Sequence, residues 1–291
     1  MEMAALDGVR TEIDLVDGEI RKLFVERMGL ADQVARIKAE NGDVIFKPDR
    51  EAAMIEKLCA GMDGALVMEY RAFIRRMIAV SRKYQYKRML ELGGGFPYSY
   101  AAGEPVCRRV VALSGEQGSL DLPAGASLET VDGYGEMGRR ILEGEADAGI
   151  GVLEEIGRGV SEGLNGLLVQ CGLYIYKCGI RQTESARQKA VLFGKELVVR
   201  PEHNRLKLAF VCPNTSGSLA NVLSMIADYG INLTEIHSVP FCEEGGWNYR
   251  FFAEMGTNLS EKNSQALISQ LYQETGALQL LGSYYCKGDF E

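Results

Sequence analysis

Residues 9–37 carry the pattern that most limits what this chain can become. Val9, Ile13, Val16, Ile20, Leu23, Leu30, Val34 and Ile37 stand at alternating spacings of four and three, and Arg27 fills the one missing step. This heptad stripe predicts a helix about 30 residues long, too long for most helices packed inside one small domain, with a seam that needs a partner helix. Asn41-Gly42 supplies its C-terminal stop. Pro48-Asp49-Arg50-Glu51 opens a short second helix, with proline early and acids in the first turn. A third helix is expected from about Leu66 to Met89, its seam being Tyr70, Ile74, Met77 and then Ser81.

The texture changes near residue 92. The first 90 residues hold six of the 34 glycines and one of the seven prolines, and their charges nearly balance at +1; the remainder carries –9, for a net –8. A helical module therefore precedes a turn-rich acidic remainder, with Gly93-Gly94-Gly95 as the joint. Beyond it, Val110–Leu113 and Ala148–Leu153 read as short buried strands, and residues 135–147 as an amphipathic helix between them. Residues 205–290 read as β-α-β-β-α-β: strand 206–211, helix 217–229, strands 233–239 and 249–255, helix 261–274, strand 278–285. That order is the ferredoxin-like motif.

Charge and composition exclude several classes. A net charge of –8 is the wrong sign for broad nucleic-acid binding. No apolar run approaches the roughly 20 residues needed to span a bilayer, and MEMAALDGVR lacks the pattern of a signal peptide. Seven cysteines, scattered and without a CxxC pair, fit reduced thiols and a cytoplasmic location. With two histidines in the chain, no metal or other cofactor is expected.

Chemistry concentrates where the helical module should be apolar. Arg27 interrupts the first seam, and Lys38 lies 11 residues on, nearly the same face at 100° per residue. Ser81 continues the third-helix stripe, Gln85 follows one turn later, and Arg50 and Glu51 open the short helix. Any one of these could be a solvated edge. Several cations aimed into one bundle would repel each other and lose hydration unless an anion sat among them.

Taken together, Arg10, Asp17, Glu26-Arg27, Lys38, Pro48-Asp49-Arg50-Glu51, Ser81 and Gln85 closely resemble the all-helical chorismate mutases over residues 5–90. The resemblance implies an intertwined homodimer that takes chorismate, with Arg10 reaching into the partner subunit's site. It implies that Arg10 and Arg27 grip the two substrate carboxylates and that Lys38 and Gln85 bond the breaking ether oxygen. Arg50 and Ser81 would bind polar groups of the substrate, and Glu51 would accept its ring hydroxyl. Lys47 departs from the pattern, which often has Asp before the Pro-x-Arg-Glu turn.

The remainder resembles the bifunctional chorismate mutase/prephenate dehydratase family. Phe96-Pro97-Tyr98-Ser99-Tyr100-Ala101-Ala102 is similar to the opening motif of the dehydratase. Gly144–Leu168 is similar to the stretch around its GVLPIENS motif, with Glu154 at the Glu position and Val152, Glu155 and Ile156 in place of Pro, Asn and Ser. Where its Thr-Arg-Phe motif should lie, this chain has Gln188-Lys189-Ala190. Pro213–Ala220 and Gly230-Ile231-Asn232-Leu233-Thr234 resemble an ACT domain, which implies a phenylalanine effector near Asn214, Gly217, Ser218 and Leu219. A glycine turn before a helix can offer free N–H groups to a carboxylate. The Glu and Arg of its ESRP strand are here His237 and Val239, so weak or absent phenylalanine binding is expected.

The expected architecture is multidomain. Residues 1–91 form an all-α chorismate mutase domain of three helices, 92–200 a truncated, single-lobed α/β dehydratase-like domain, and 201–291 an α+β ferredoxin-like ACT domain. The expected function is mutase activity without dehydration. Two alternatives stand beside it: a fully bifunctional, phenylalanine-regulated mutase–dehydratase, and a non-catalytic ACT-based amino-acid sensor.

Overall fold

The computed structural model describes residues 2–183, 186–243 and 246–286. The chain forms two compact units, Met1–Phe96 and Pro97–Glu291.

The first unit holds three helices, α1 (Glu2–Asn41), α2 (Pro48–Cys59) and α3 (Val67–Glu91), with α1 and α2 both packed on α3. The first helix runs 40 residues, longer than the stripe alone required. Gly42 ends it at φ +65°, a left-handed backbone that glycine adopts without steric penalty. Its buried positions are few: Ala31, Ala35 and Lys38. The core is correspondingly thin, Ile55 and Cys59 meeting Ile74 and Ile78 at one end and Ile45 meeting Tyr86 and Met89 at the other. All eight seam residues from Val9 to Ile37 are exposed, at 37% to 65%. An apolar stripe of that length on an isolated chain marks a contact surface.

The second unit is built on one sheet of order β2-β1-β3-β6-β5-β10-β7-β9-β8. Strands β1 (Arg109–Leu113), β2 (Ser127–Val131) and β3 (Ala148–Ile156) are parallel, and the short β4 (Gly159–Val160) pairs with β3. Helices α4 (Tyr134–Leu142) and α5 (Glu162–Cys171) cover them. The helix expected over 135–147 stops at Leu142, because Gly144 turns at φ +77° and the Asp147 carboxylate accepts from the backbone N–H groups of Arg108 and Arg109. A hairpin of β5 (Tyr174–Gln182) and β6 (Arg187–Gly194) extends the sheet in antiparallel sense.

The expected β-α-β-β-α-β order is present as β7 (Arg205–Cys212), α6 (Ser218–Asp228), β8 (Leu233–Glu243), β9 (Gly246–Met255), α7 (Lys262–Glu274) and β10 (Gln279–Cys286). Its last strand pairs with β5 through Tyr285↔Lys177 and Cys286↔Cys178, so the sheet runs unbroken past residue 200, where the sequence suggested a further boundary. Gly282 permits the close approach: a Cβ there would lie 2.5 Å from the Ile175 carbonyl oxygen.

The sheet also curls. Strands β6 and β9 are four places apart, about 19 Å in a flat sheet at 4.7–4.9 Å per strand. Yet the Lys189 ammonium on β6 lies 2.7 Å from the Glu254 carboxylate on β9. The two faces therefore meet across a shared interior, in which Phe193, Leu281 and Tyr284 pack with Ala209 and Phe252.

Candidate active site

A cavity of about 260 Å³ opens in the helical unit, lined by side chains of all three helices and of the turn before α2. Six residues singled out in the sequence line it: Arg27, Lys38, Arg50, Glu51, Ser81 and Gln85. Leu30, Val34, Ile45, Met54 and Ile78 supply apolar wall. Arg27 fills a step of the α1 stripe whose Leu30 and Val34 also line the cavity, and Lys38, 11 residues on, returns to nearly the same face.

Lys38, Arg27 and Ser81 are each held by a specific partner. Lys38, 9% exposed, donates to the Ile45 carbonyl oxygen at 2.7 Å. Burial lowers its pKa, and nearby Lys47 and Arg50 lower it further against the pull of Asp43 and Glu51. The Arg27 guanidinium donates to the Ser81 hydroxyl, and burial lowers its pKa too. Ser81 in turn donates to the Met77 carbonyl oxygen at 2.9 Å, so its hydroxyl is fixed in place. The Gln85 amide oxygen is buried with no hydrogen-bond partner. One rotation of that amide exchanges an acceptor for a donor, so Gln85 can offer either to a ligand.

Lys47 and Arg82 also line the cavity. Lys47 pairs with Asp43 at 2.6 Å, and Arg82 pairs with Glu51. Five cationic side chains thus face a cavity to which Glu51 contributes the sole carboxylate among the lining residues. Arg82 lies one position past the Tyr70–Ser81 stripe, so that seam alone does not point to it. The available signal was its place one turn beyond the buried Ile78 on α3.

Arg10 is elsewhere. It is exposed and pairs with Asp7 at 3.3 Å. At 1.5 Å per residue it stands about 25 Å along α1 from Arg27, beyond the reach of its own side chain. Asp17 and Glu26 are exposed as well.

In the second unit, Tyr98 donates to the Leu278 carbonyl oxygen at 3.4 Å and packs edge-on against Tyr272, while Tyr100 accepts from Gln265. Lys189, at the place where the resemblance puts Arg, is buried and bound to Glu254 at 2.7 Å and Glu235 at 3.4 Å. Fully buried Lys207 bonds Glu235 at 3.0 Å, and Tyr284 donates to Glu254. Burial alone would lower the Lys189 pKa, but Glu254 and Glu235 raise it well above the ordinary lysine value. Burial pushes Glu235 up, while His237, Lys207 and Lys189 together hold it well below the usual carboxylate range. Glu154 stands at the margin of this network, half-buried, its pKa raised by burial and by Glu235. His237 lies on β8, stacked on Phe252, with its Nδ1 3.1 Å from Glu235. Asn214 and Gly217 are exposed on the turn into α6, beside half-buried Ser218 and Leu219, and Gly217 has φ +85°.

Residues 9–86 match the family described as chorismate mutase type II. The T-protein of Haemophilus influenzae is 32% identical over 124 aligned residues, 36% of this chain and 33% of that protein, so the likeness spans about a third of the relative's length. A bifunctional chorismate mutase/prephenate dehydratase of Aquifex aeolicus is 23% identical across 97% of this chain and 98% of its own. That alignment runs over 361 positions although this chain has 291 residues, so it opens long gaps here. A prephenate dehydratase structure from Arthrobacter aurescens, solved in complex with L-Phe, superposes with a TM-score of 0.51 at 14% identity, covering 60% of this chain and 89% of that one. At that identity the likeness is one of fold. The chain joins a helical stretch that matches the chorismate mutase type II family to an α/β unit that shares the fold of prephenate dehydratase.

Proposed function

We propose that the helical unit isomerises chorismate to prephenate, as a homodimer, and that the second unit has lost dehydratase activity. The observation that carries the first part is the cationic cavity itself, in which the predicted side chains converge around a space suited to a small dianion. The rearrangement is unimolecular: a C–O ether bond breaks as a C–C bond forms, and no proton or nucleophile intervenes. Catalysis then amounts to holding the dicarboxylate compact and stabilising negative charge as it grows on the ether oxygen. Arg27 grips one carboxylate. Lys38, already fixed by Ile45, and the Gln85 amide turned donor-inward meet the ether oxygen. Arg50 and Ser81 bind polar groups of the substrate, and Glu51 accepts its ring hydroxyl.

Arg10 completes the site from a partner subunit. Its distance from its own cavity supports action in trans, and the exposed Val9–Ile37 seam supports the dimer that would bring it there. Mixing Arg10→Ala chains with Lys38→Ala chains is therefore expected to restore activity that neither has alone, since hybrid dimers regain one intact site. No recovery, with subunit exchange confirmed by native mass spectrometry, would contradict the shared site.

Loss of dehydration is supported by Lys189, which stands in the Thr-Arg-Phe position and is tied into an internal ion network. Full bifunctionality is the second reading, favoured by the end-to-end match to the Aquifex aeolicus relative. We place the ACT-like segment as a second dimer contact with weak or absent phenylalanine binding, since His237 and Val239 stand where the resemblance puts Glu and Arg. The odd, scattered thiols support a cytoplasmic setting.

A further inference from the structure

Glu51 is the one acidic side chain at a cavity built of cations, and it does not stand alone there. Arg82, from α3, forms an ion pair with its Oε2; the two side chains are 15% and 19% exposed. The same guanidinium lies over the Phe46 ring, 5.0 Å from its centroid, so the aromatic face fixes the plane of the fork that meets the carboxylate. No other lining cation is paired to Glu51. Lys38 on α1 is committed to the Ile45 carbonyl, Arg27 on α1 to Ser81, and Lys47 before α2 to Asp43. Arg50, next to Glu51 in the first turn of α2, is exposed.

We propose that Arg82 is a positioning residue of the mutase site, holding Glu51 as the oriented acceptor for the substrate's ring hydroxyl. The inference rests on the function proposed above. A carboxylate desolvated in this cavity tends to take up a proton, and a protonated Glu51 would present a donor where the substrate hydroxyl needs an acceptor. Burial does push the Glu51 carboxyl up, and the Arg82 guanidinium pulls it back down, with Lys38 adding to that pull. Arg82 need never touch the substrate. Its effect passes through Glu51, so the two residues should behave as a unit.

The test uses the full chain carrying Arg82→Met, Arg82→Lys, Glu51→Gln, and Arg82→Met with Glu51→Gln. A hydrogen bond to a charged acceptor is formed in both ground and transition state, so its loss is read mainly in KM. Arg82→Met is expected to raise KM about tenfold with little change in kcat. It should also move the acid limb of kcat/KM to higher pH, because Glu51 then protonates earlier. Arg82→Lys should restore the limb, and Arg82→Met should add little once Glu51 is already Gln. A carboxyl 13C titration of Glu51 reads the same shift without turnover, with circular dichroism confirming the fold. An unmoved Glu51 titration, or losses that add fully in the double variant, would overturn the role of Arg82. Absence of mutase turnover in the unsubstituted chain would instead overturn the function, and the titration would still decide whether Arg82 governs Glu51.

Discussion

The two units each gather charged side chains away from water, and they do so in opposite ways. In the helical cavity five cations face one lining carboxylate; Lys47 is met by Asp43 and Arg82 by Glu51, which leaves the charge of Arg27, Lys38 and Arg50 for something outside the chain. In the sheet interior Lys189, Lys207 and Arg205 meet Glu235 and Glu254 at 2.7–3.6 Å, with half-buried Glu154 at the margin, and the charges balance within the protein. An unbalanced buried cluster is destabilising until an ion of opposite charge arrives, so it reads as a binding site. A balanced one is complete as folded, and removing any member leaves a buried charge without its partner. This is the physical ground for assigning chemistry to the first unit and architecture to the second, although both contain the residue types of an active site.

The comparison can be broken most sharply at Lys189. Lys189→Met removes the nearest cation from buried Glu254, leaving Tyr284 and the more distant Arg205 at 3.6 Å, and such a break is expected to cost about 3–5 kcal/mol. The unfolding midpoint of the second unit should fall by roughly 10 °C, while mutase turnover stays unchanged. The pH dependence follows the same network. Glu235 has a depressed folded value, so its contribution is complete above the unfolded carboxylate value near about 4.3 and is lost as pH falls below it. Lys189 has a raised folded value, so its contribution is complete below about 10.4 and is lost as pH rises beyond it. Calorimetric scans should show a plateau between those limits with a fall at each end, and the alkaline fall should weaken in Lys189→Met. A variant as stable as the parent would mean the network is not structural.

Lys38→Ala probes the other side. Removing one preorganised donor to a developing oxyanion typically lowers turnover about 10²–10³-fold. Here the protein itself should remain folded, since the change relieves crowding among cations rather than orphaning a charge. Parent-like turnover in Lys38→Ala would contradict the site. The smallest expected effect concerns phenylalanine: isothermal calorimetry should show weak or no binding, and low-micromolar affinity would restore a regulatory role to the turn at Gly217.

Local pattern carried most of the helical unit and of the last 85 residues. The seam, the Pro48 start, the Gly42 stop and the six C-terminal elements all follow from periodicity and turn chemistry, with most ends displaced by a residue or two; α1 begins seven residues before the stripe, β8 ends four residues later and β9 begins three residues earlier than expected. What stayed hidden was long-range. The hairpin of β5 and β6 has no flanking glycine–asparagine turn, and its pairing with β3 and β10 joins residues far apart in sequence. The curl that brings Lys189 to Glu254 spans 65 residues, a contact that no local pattern encodes. In the cavity, the side chains on regular seams were legible, whereas Arg82 was missed because it lies one stripe over, and its role depends on where α2 packs.

Unbalanced charge marks the proposed working site, and balanced charge the proposed structural one. The most direct measurement incubates the full chain with chorismate and quantifies prephenate and phenylpyruvate together, in buffer kept above neutral pH so that prephenate survives. Stoichiometric conversion of chorismate to prephenate, with phenylpyruvate no higher than in an enzyme-free control, is the predicted result. Phenylpyruvate formed in step with prephenate loss would contradict it, because the second unit would then be catalytic despite its balanced interior.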